Sequence, residues 1–291
     1  MKRARSYQGL RAIVVVVVNY VQEVPVRPVL FTILGVNVQT YGVSKIAAAL
    51  LGAYLLGKAF TRLGLPRDSA HALAMWATIW GFVGAKVYFL LEQLPDVSMH
   101  HLGGMGFTWY GGLIGGTIAA LVVIRRHRLP VAQVAGAIAA PLSAAYAVGR
   151  LGCLIAGDGT YGEPTSLPWA MTFPSGVVAT DVPVHPTPLY EAVLAGLIAV
   201  ALWQYWRRAD PVQVFAAYLV ASGVARFFVE MLRTNDVAFL GLTQPQLWAL
   251  LSAVLGTSLW LRARSRTAPP ALAGAVAESS ADDSSAAVPV R

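Results

Sequence analysis

Three short stretches set arginine, acid, phenol and imidazole inside an otherwise apolar chain. Residues 149–162, GRLGCLIAGDGTYG, combine Arg150, Cys153 and Asp158 with Gly157, Gly162 and three further glycines. Residues 223–233, GVARFFVEMLR, space Arg226, Glu230 and Arg233 at i, i+4 and i+7. One side of a helix would carry all three, and Glu230 could pair with either arginine. Residues 185–192, HPTPLYEA, supply His185, Tyr190 and Glu191 at the entrance of a helix that Pro186 and Pro188 would start. The chemistry these types suit is phosphate binding, because a guanidinium stays ionised and its fork meets two phosphate oxygens at once. In the 223–233 stretch a single acid serves two arginines, so a positive charge is left over.

The glycines around Arg150 point the same way. An arginine within a bilayer costs about 2.5–3.5 kcal/mol unless it snorkels or is paired. Each glycine would weaken a plain helix by about 1 kcal/mol, yet it lets backbone come close to a ligand. A fourth stretch, GMGFTWYGGLIGG at 104–116, holds Gly112 and Gly116 as a small-residue pair for close helix packing. It also sets Tyr110 at a helix mouth as a hydroxyl donor toward a head group.

Other chemistries find no support. Cys153 is the only cysteine, which excludes an intramolecular disulfide and a cysteine-based metal cluster. The five histidines show no metal-ligand spacing, and there is no Walker loop and no G-x-S-x-G elbow. Nucleotide hydrolysis and serine-esterase chemistry are therefore not expected, and no metal is. The net charge of +8 comes without a basic patch interleaved with aromatics. It suits anionic lipid head groups, membrane lipids being the expected surroundings, and not nucleic acid.

The elements that must position these residues are membrane helices. The chain is 56% hydrophobic and only 12% charged, with a mean hydropathy of +0.59, where a soluble domain has about a quarter of its residues charged. Seven stretches are long enough to cross a hydrocarbon core: 41–60, 70–91, 107–124, 131–155, 189–206, 214–232 and 246–261. Each must be a helix, because lipid offers no partner to backbone polar groups. The expected fold is an all-α polytopic membrane helix bundle.

Lys58, Arg62 and Arg67, Arg125, Arg126 and Arg128, Arg207 and Arg208, and Arg262, Arg264 and Arg266 fall on one side, and only Arg233 falls in the opposite loops. The positive-inside rule makes the first side cytoplasmic, with the N-terminus out and the C-terminus in. The expected division is an N-terminal extension at 1–28, a transmembrane domain at 29–262 and a cytoplasmic tail at 263–291. Lys2, Arg3, Arg5 and Arg11 before an apolar run resemble parts of a signal peptide but lack a cleavage site. That segment is read as lying at the membrane surface. The tail, rich in Ala, Ser and Pro, is expected to be disordered.

WYGGLIGG, RLGCLIAGDGTYGEPTSLPWAMTFP, HPTPLYEA and GVARFFVEMLR resemble the ordered signature blocks of the bacterial prolipoprotein diacylglyceryl transferase family, and QTYG and GFVGAKVYFLLE fit as well. The resemblance runs from about Val29 to Leu261. It implies transfer of a diacylglyceryl group from phosphatidylglycerol to the lipobox cysteine thiol of a preprolipoprotein. A thioether forms and glycerol phosphate leaves, with no metal or soluble cofactor, in the cytoplasmic (inner) membrane and facing outward. Arg150 and Arg226 stand at the family's two essential arginines, Glu230 and Arg233 at the charged positions that follow, and Tyr41 at a tyrosine of the first helix.

This chain departs from the family pattern at several places. Tyr110 replaces a histidine proposed to activate the thiol, and tyrosine is a poor base at neutral pH. Cys153 replaces an asparagine, Ala156–Gly157–Asp158 replaces Asn-Gly-Glu, and Lys86 stands where arginine is common. His185 is the expected base instead, with Asp158, His100 and His101 as alternatives, since an imidazole needs little tuning to work near neutrality. Two other readings are a paralogue acting on another acceptor and a non-catalytic phospholipid-binding or transport protein. Gly157, Gly162, Tyr190 and Glu191 complete the expected substrate-binding set.

Overall fold

A computed structural model describes residues 26–98 and 106–267. The charged run at 2–18, His100, His101 and the tail beyond Thr267 lie outside the described residues. Each of the seven apolar stretches forms a helix: α1 Thr40–Arg62, α2 Arg67–Glu92, α3 Trp109–Arg126, α4 Val131–Ala156, α5 Thr187–Tyr205, α6 Pro211–Glu230 and α7 Gln244–Thr267. Five of them, α1, α2, α4, α5 and α6, are long and apolar enough to cross a membrane by length and composition. The helices α3 and α7 end in Arg125 and Arg126, and in Arg262 and Arg264.

Pairing follows chain order with two exceptions, α1 with α4 and α4 with α6. The helices α2 and α3 pack on each other, as do α6 and α7, while α4 sits at the centre against α1, α5 and α6. Ser143 Oγ donates to Ala195 O at 2.8 Å and ties α4 to α5 inside the bundle. The entrance to α1 is tied to the end of α4 by Arg27 N donating to Ile155 O at 2.9 Å. At the opposite, arginine-bearing end, Phe60, Leu73, Ile124 and Val134 form a buried core, and Arg62 lies 4.7 Å from the Trp203 ring centroid.

The expectation of an all-α chain needs one correction. Three antiparallel two-stranded hairpins, β1 Val29–Ile33 with β2 Val36–Gln39 before α1, β3 Met171–Phe173 with β4 Thr180–Val184 between α4 and α5, and β5 Val237–Phe239 with β6 Leu242–Thr243 between α6 and α7, sit at the same end of the bundle. The first and third turn through Leu34–Gly35 and Leu240–Gly241, all with positive φ of 51°, 78°, 49° and 76°. Such two-residue turns match strand twist, but they are ordinarily announced by Asn-Gly or Asp-Gly. Leucine at the first position hid them.

The close helix approach expected at Gly112 and Gly116 is shifted by one residue. A side chain at Gly115 would strike the Trp80 carbonyl oxygen and lie 3.2 Å from Gly84 Cα, and one at Gly111 would strike the Gly84 carbonyl oxygen. At Gly112 the nearest atom is 3.4 Å away. The pair that sets the α2–α3 distance is therefore Gly111 and Gly115. Gly115→Val should lower the thermal midpoint in detergent by on the order of 5 °C, the consequence of overpacking. Gly196→Ala, which meets nothing within 4 Å, should leave the midpoint unchanged or slightly raised. Equal midpoints for the two variants would show that the α2–α3 approach does not depend on Gly115.

Candidate active site

The ends of α4 and α6 and the start of α5 meet at the hairpin end, and three arginines and two glutamates fill the junction. Glu191, in the first turns of α5, is the hub, with its side chain only 3% exposed. Its Oε2 lies 2.9 Å from Arg150 Nε of α4, its Oε1 pairs with Arg226 NH1 of α6, and Arg233 NH1 stands 3.9 Å from Oε2. Glu230 has no exposed side-chain surface and takes Arg226 NH2 at 2.8 Å, with Arg233 Nε at 3.8 Å. Its other oxygen accepts from Asn235 Nδ2 at 2.5 Å and Thr243 Oγ1 at 3.1 Å, which joins the cluster to the third hairpin.

The charges do not balance. Three guanidinium groups face two carboxylates, and a surplus positive charge remains among largely buried groups. It is unevenly spread. Both terminal nitrogens of Arg226 are committed to carboxylates, whereas Arg150 is held through Nε alone. Arg233 lies in the turn beyond α6, which stops at Glu230, and not on the helix face that its i+7 spacing suggested. Its Nε and NH1 make no hydrogen bond among the described residues. Burial, with Arg226 beside it, pulls the Arg233 guanidinium below its ordinary value. An arginine nonetheless remains charged in a protein.

The loop after α4 threads this junction. Gly157 ends the helix in the left-handed region at φ 62°, a conformation glycine adopts without steric cost. Gly162 then bridges to Arg233 and donates its N–H to His185 O at 2.9 Å. A Cβ at Gly162 would fall 2.8 Å from His185 Cβ and 2.9 Å from Thr187 Cγ2. The loop is thus wedged between the end of α6 and the entry to α5. Beyond it Tyr161 stacks on Phe173 at 4.1 Å and donates to Val178 O at 2.9 Å. Burial pushes its phenol up to about 12.

The other expected residues surround the cluster. His185 Nδ1 lies 3.3 Å from Tyr190 Oη, which accepts from Trp169 Nε1 at 2.7 Å. Asp158 accepts from Thr160 N at 3.1 Å and Thr160 Oγ1 at 2.6 Å, so its carboxylate shapes the loop. Tyr110 sits among the rings of Tyr88, Trp109 and Trp248, with Arg226 and Glu230 as electrostatic neighbours. Tyr41 opens α1 with Lys45 Nζ 4.7 Å from its ring centroid, and Arg150, buried Cys153 and Asp158 are its neighbours. Lys86 lies 5.2 and 5.1 Å from the ring centroids of Phe89 and Phe107 on the α2–α3 side.

Sequence reasoning missed Tyr146, Asn235 and Thr243. Tyr146 had a signal, since it precedes Arg150 by four residues on α4 and so shares its face. Asn235 and Thr243 had none, because a hairpin brings them back to Glu230. Among the described residues no group of three or more His, Cys, Asp or Glu could hold a metal ion.

A family model described as prolipoprotein diacylglyceryl transferase matches residues 28–262. The chain is 33% identical over 263 residues to the phosphatidylglycerol–prolipoprotein diacylglyceryl transferase of Idiomarina loihiensis, with 84% of this chain and 96% of that one covered. It is 29% identical over 238 residues to the protein of the same name from Clostridium tetani, covering 79% and 95%. With the protein of that name from Ruegeria pomeroyi it shares 32% identity over 232 residues, 68% of this chain and 77% of the relative. The span of these matches takes in every element that meets at the arginine and glutamate junction, and the chain belongs to the prolipoprotein diacylglyceryl transferase family.

Proposed function

We propose that this protein transfers the diacylglyceryl group of phosphatidylglycerol to the thiol of a lipobox cysteine in a preprolipoprotein. The observation that carries the reading, beside family membership, is the surplus positive charge where α4, α5 and α6 meet. The cysteine sulfur forms a bond to the glyceryl carbon while that carbon's bond to the phosphate oxygen breaks. Glycerol phosphate leaves with the electron pair, and the thiol proton passes to a base. Negative charge grows on the departing oxygen, and preorganised guanidinium groups at that point are worth several kcal/mol. Arg150 is assigned to the phosphate, and Arg226, held between Glu191 and Glu230, supplies fixed positive charge beside it. His185 is assigned as the base; its Nδ1 faces Tyr190, which leaves Nε2 for the thiol.

All seven helices span the cytoplasmic membrane in this reading, N-terminus out, with the site toward the outer leaflet. The distribution of charge supports it. The helix ends opposite the site carry Lys58, Arg62, Arg67, Arg125, Arg126, Arg207 and Arg208, the pattern of a cytoplasmic face.

Purified protein given phosphatidylglycerol and a lipobox peptide should yield a thioether-linked diacylglyceryl peptide, detected by mass. Arg150→Ala or Arg226→Ala should lower the rate at least ~100-fold, the scale for removing one preorganised charge donor. Phospholipid binding without peptide modification by the wild type would instead support a lipid-binding or transport protein. Replacing the base should cost about 10²-fold or more, so His185→Ala should be slow while Tyr110→Phe stays near wild type. The reverse ranking would move the base to Tyr110. A reporter fused after Thr267 should be active only in the cytoplasm, and periplasmic activity would overturn the orientation.

A further inference from the structure

Of the three arginines in the junction, Arg150 is the one bonded through Nε, with no hydrogen bond from its terminal nitrogens among the described residues, and one side chain accounts for that. Tyr146, one turn earlier on α4, places its Oη 2.9 Å from Arg150 Nε and accepts the hydrogen carried there. The same hydroxyl donates to Glu191 Oε1 at 3.1 Å. Its ring centroid lies 5.0 Å from Arg150 Cζ, so the phenol holds the guanidinium from below as well as at its edge.

The single Nε hydrogen decides how Arg150 meets Glu191. Nε and Glu191 Oε2 stand 2.9 Å apart, yet Oε2 receives no hydrogen bond, because that hydrogen is directed to Tyr146. The attraction between Arg150 and Glu191 is therefore Coulombic and exerts little directional control, while the phenol supplies the direction. Without the hydroxyl, a bidentate fork between Arg150 and Glu191 is the favoured geometry for such a pair. Such a fork would turn a terminal nitrogen toward the glutamate. Tyr146 itself is 39% exposed, so the residue is not sealed inside the bundle.

We infer that Tyr146 is a positioning residue of the transfer reaction, which holds Arg150 by Nε so that both terminal nitrogens face the donor phosphate. This rests on the assignment of Arg150 to that phosphate. The consequence falls on the transition state more than on donor binding. A rotated guanidinium can still attract a phosphate, but it no longer aims both donors at the oxygens where charge accumulates, and a group that acts mainly there changes kcat more than KM.

The test is Tyr146→Phe in detergent or mixed micelles, assayed with phosphatidylglycerol and a lipobox peptide beside wild type and Arg150→Ala. The variant keeps the ring and removes only the hydroxyl. Its kcat should fall about tenfold or more, the lower range for loss of one hydrogen bond to a charged group, with the donor KM within about threefold, whatever the midpoint shift from the hydrogen bond that Glu191 also loses. Wild-type kcat would overturn the inference. So would a loss of kcat matched by an equal rise in donor KM, which marks a general loss of site structure and not of transition-state aim. Tyr146→Leu, lacking the same hydroxyl, should reproduce the kcat loss even where the missing ring costs stability, and wild-type kcat there would also overturn it. Full activity in Arg150→Ala would remove the phosphate assignment itself. An inactive Arg150→Ala beside a fully active Tyr146→Phe would remove only the role of the tyrosine.

Discussion

The site depends on one buried carboxylate. Glu191 reaches from α5 to Arg150 on α4 and Arg226 on α6, so a single side chain links three helices through charge. Burying an ion costs several kcal/mol, and its partners offset that only with good geometry and further hydrogen bonds. Glu191 has such bonds on Oε1, from Tyr146 and Arg226, but none on Oε2. Removing a member of such a cluster leaves an uncompensated buried charge, commonly a loss of about 3–5 kcal/mol. The junction is therefore fixed in place by the same charges that are proposed to meet the donor phosphate.

The rest of the fold makes that cluster tolerable. The charges sit at the ends of helices, Arg150 near the last turns of α4, Glu191 in the first turns of α5 and Glu230 at the last residue of α6. The middles of the helices remain apolar. The three hairpins and the loop held by Gly157 and Gly162 gather at that end, and the third hairpin with the turn before it supplies Glu230 with neutral partners, Thr243 and Asn235. Close packing between α2 and α3 through Gly111 and Gly115 brings Tyr110 to the edge of the cluster.

The helices were legible in the sequence because apolar length alone dictates them in a chain with so little charge. Arg150 and Arg226 were legible for the opposite reason, as charges within apolar stretches. Glu191 was seen only as one of several polar residues of its motif. Its importance comes from partners 41 and 35 residues away on other helices, and no spacing rule connects them. Asp158 was read as a candidate base, yet Thr160, two residues on, engages its carboxylate in a local turn. The first and third hairpins escaped notice because leucine, not asparagine or aspartate, leads their turns. Arg233 was assigned to the helix face by its spacing, and the helix ended three residues sooner.

The two arginines that look equivalent in sequence are unlike in structure. Arg226 gives one terminal nitrogen to each glutamate, and a guanidinium so engaged cannot offer the same fork to a phosphate without breaking a buried pair. Arg150 meets the cluster edge-on through Nε, an arrangement that a neutral hydroxyl maintains at less electrostatic cost than a third carboxylate would. A third carboxylate would also remove the surplus positive charge. Using a phenol as the last partner keeps Arg150 oriented while leaving the junction short of one negative charge, and an anionic lipid phosphate is suited to supply it.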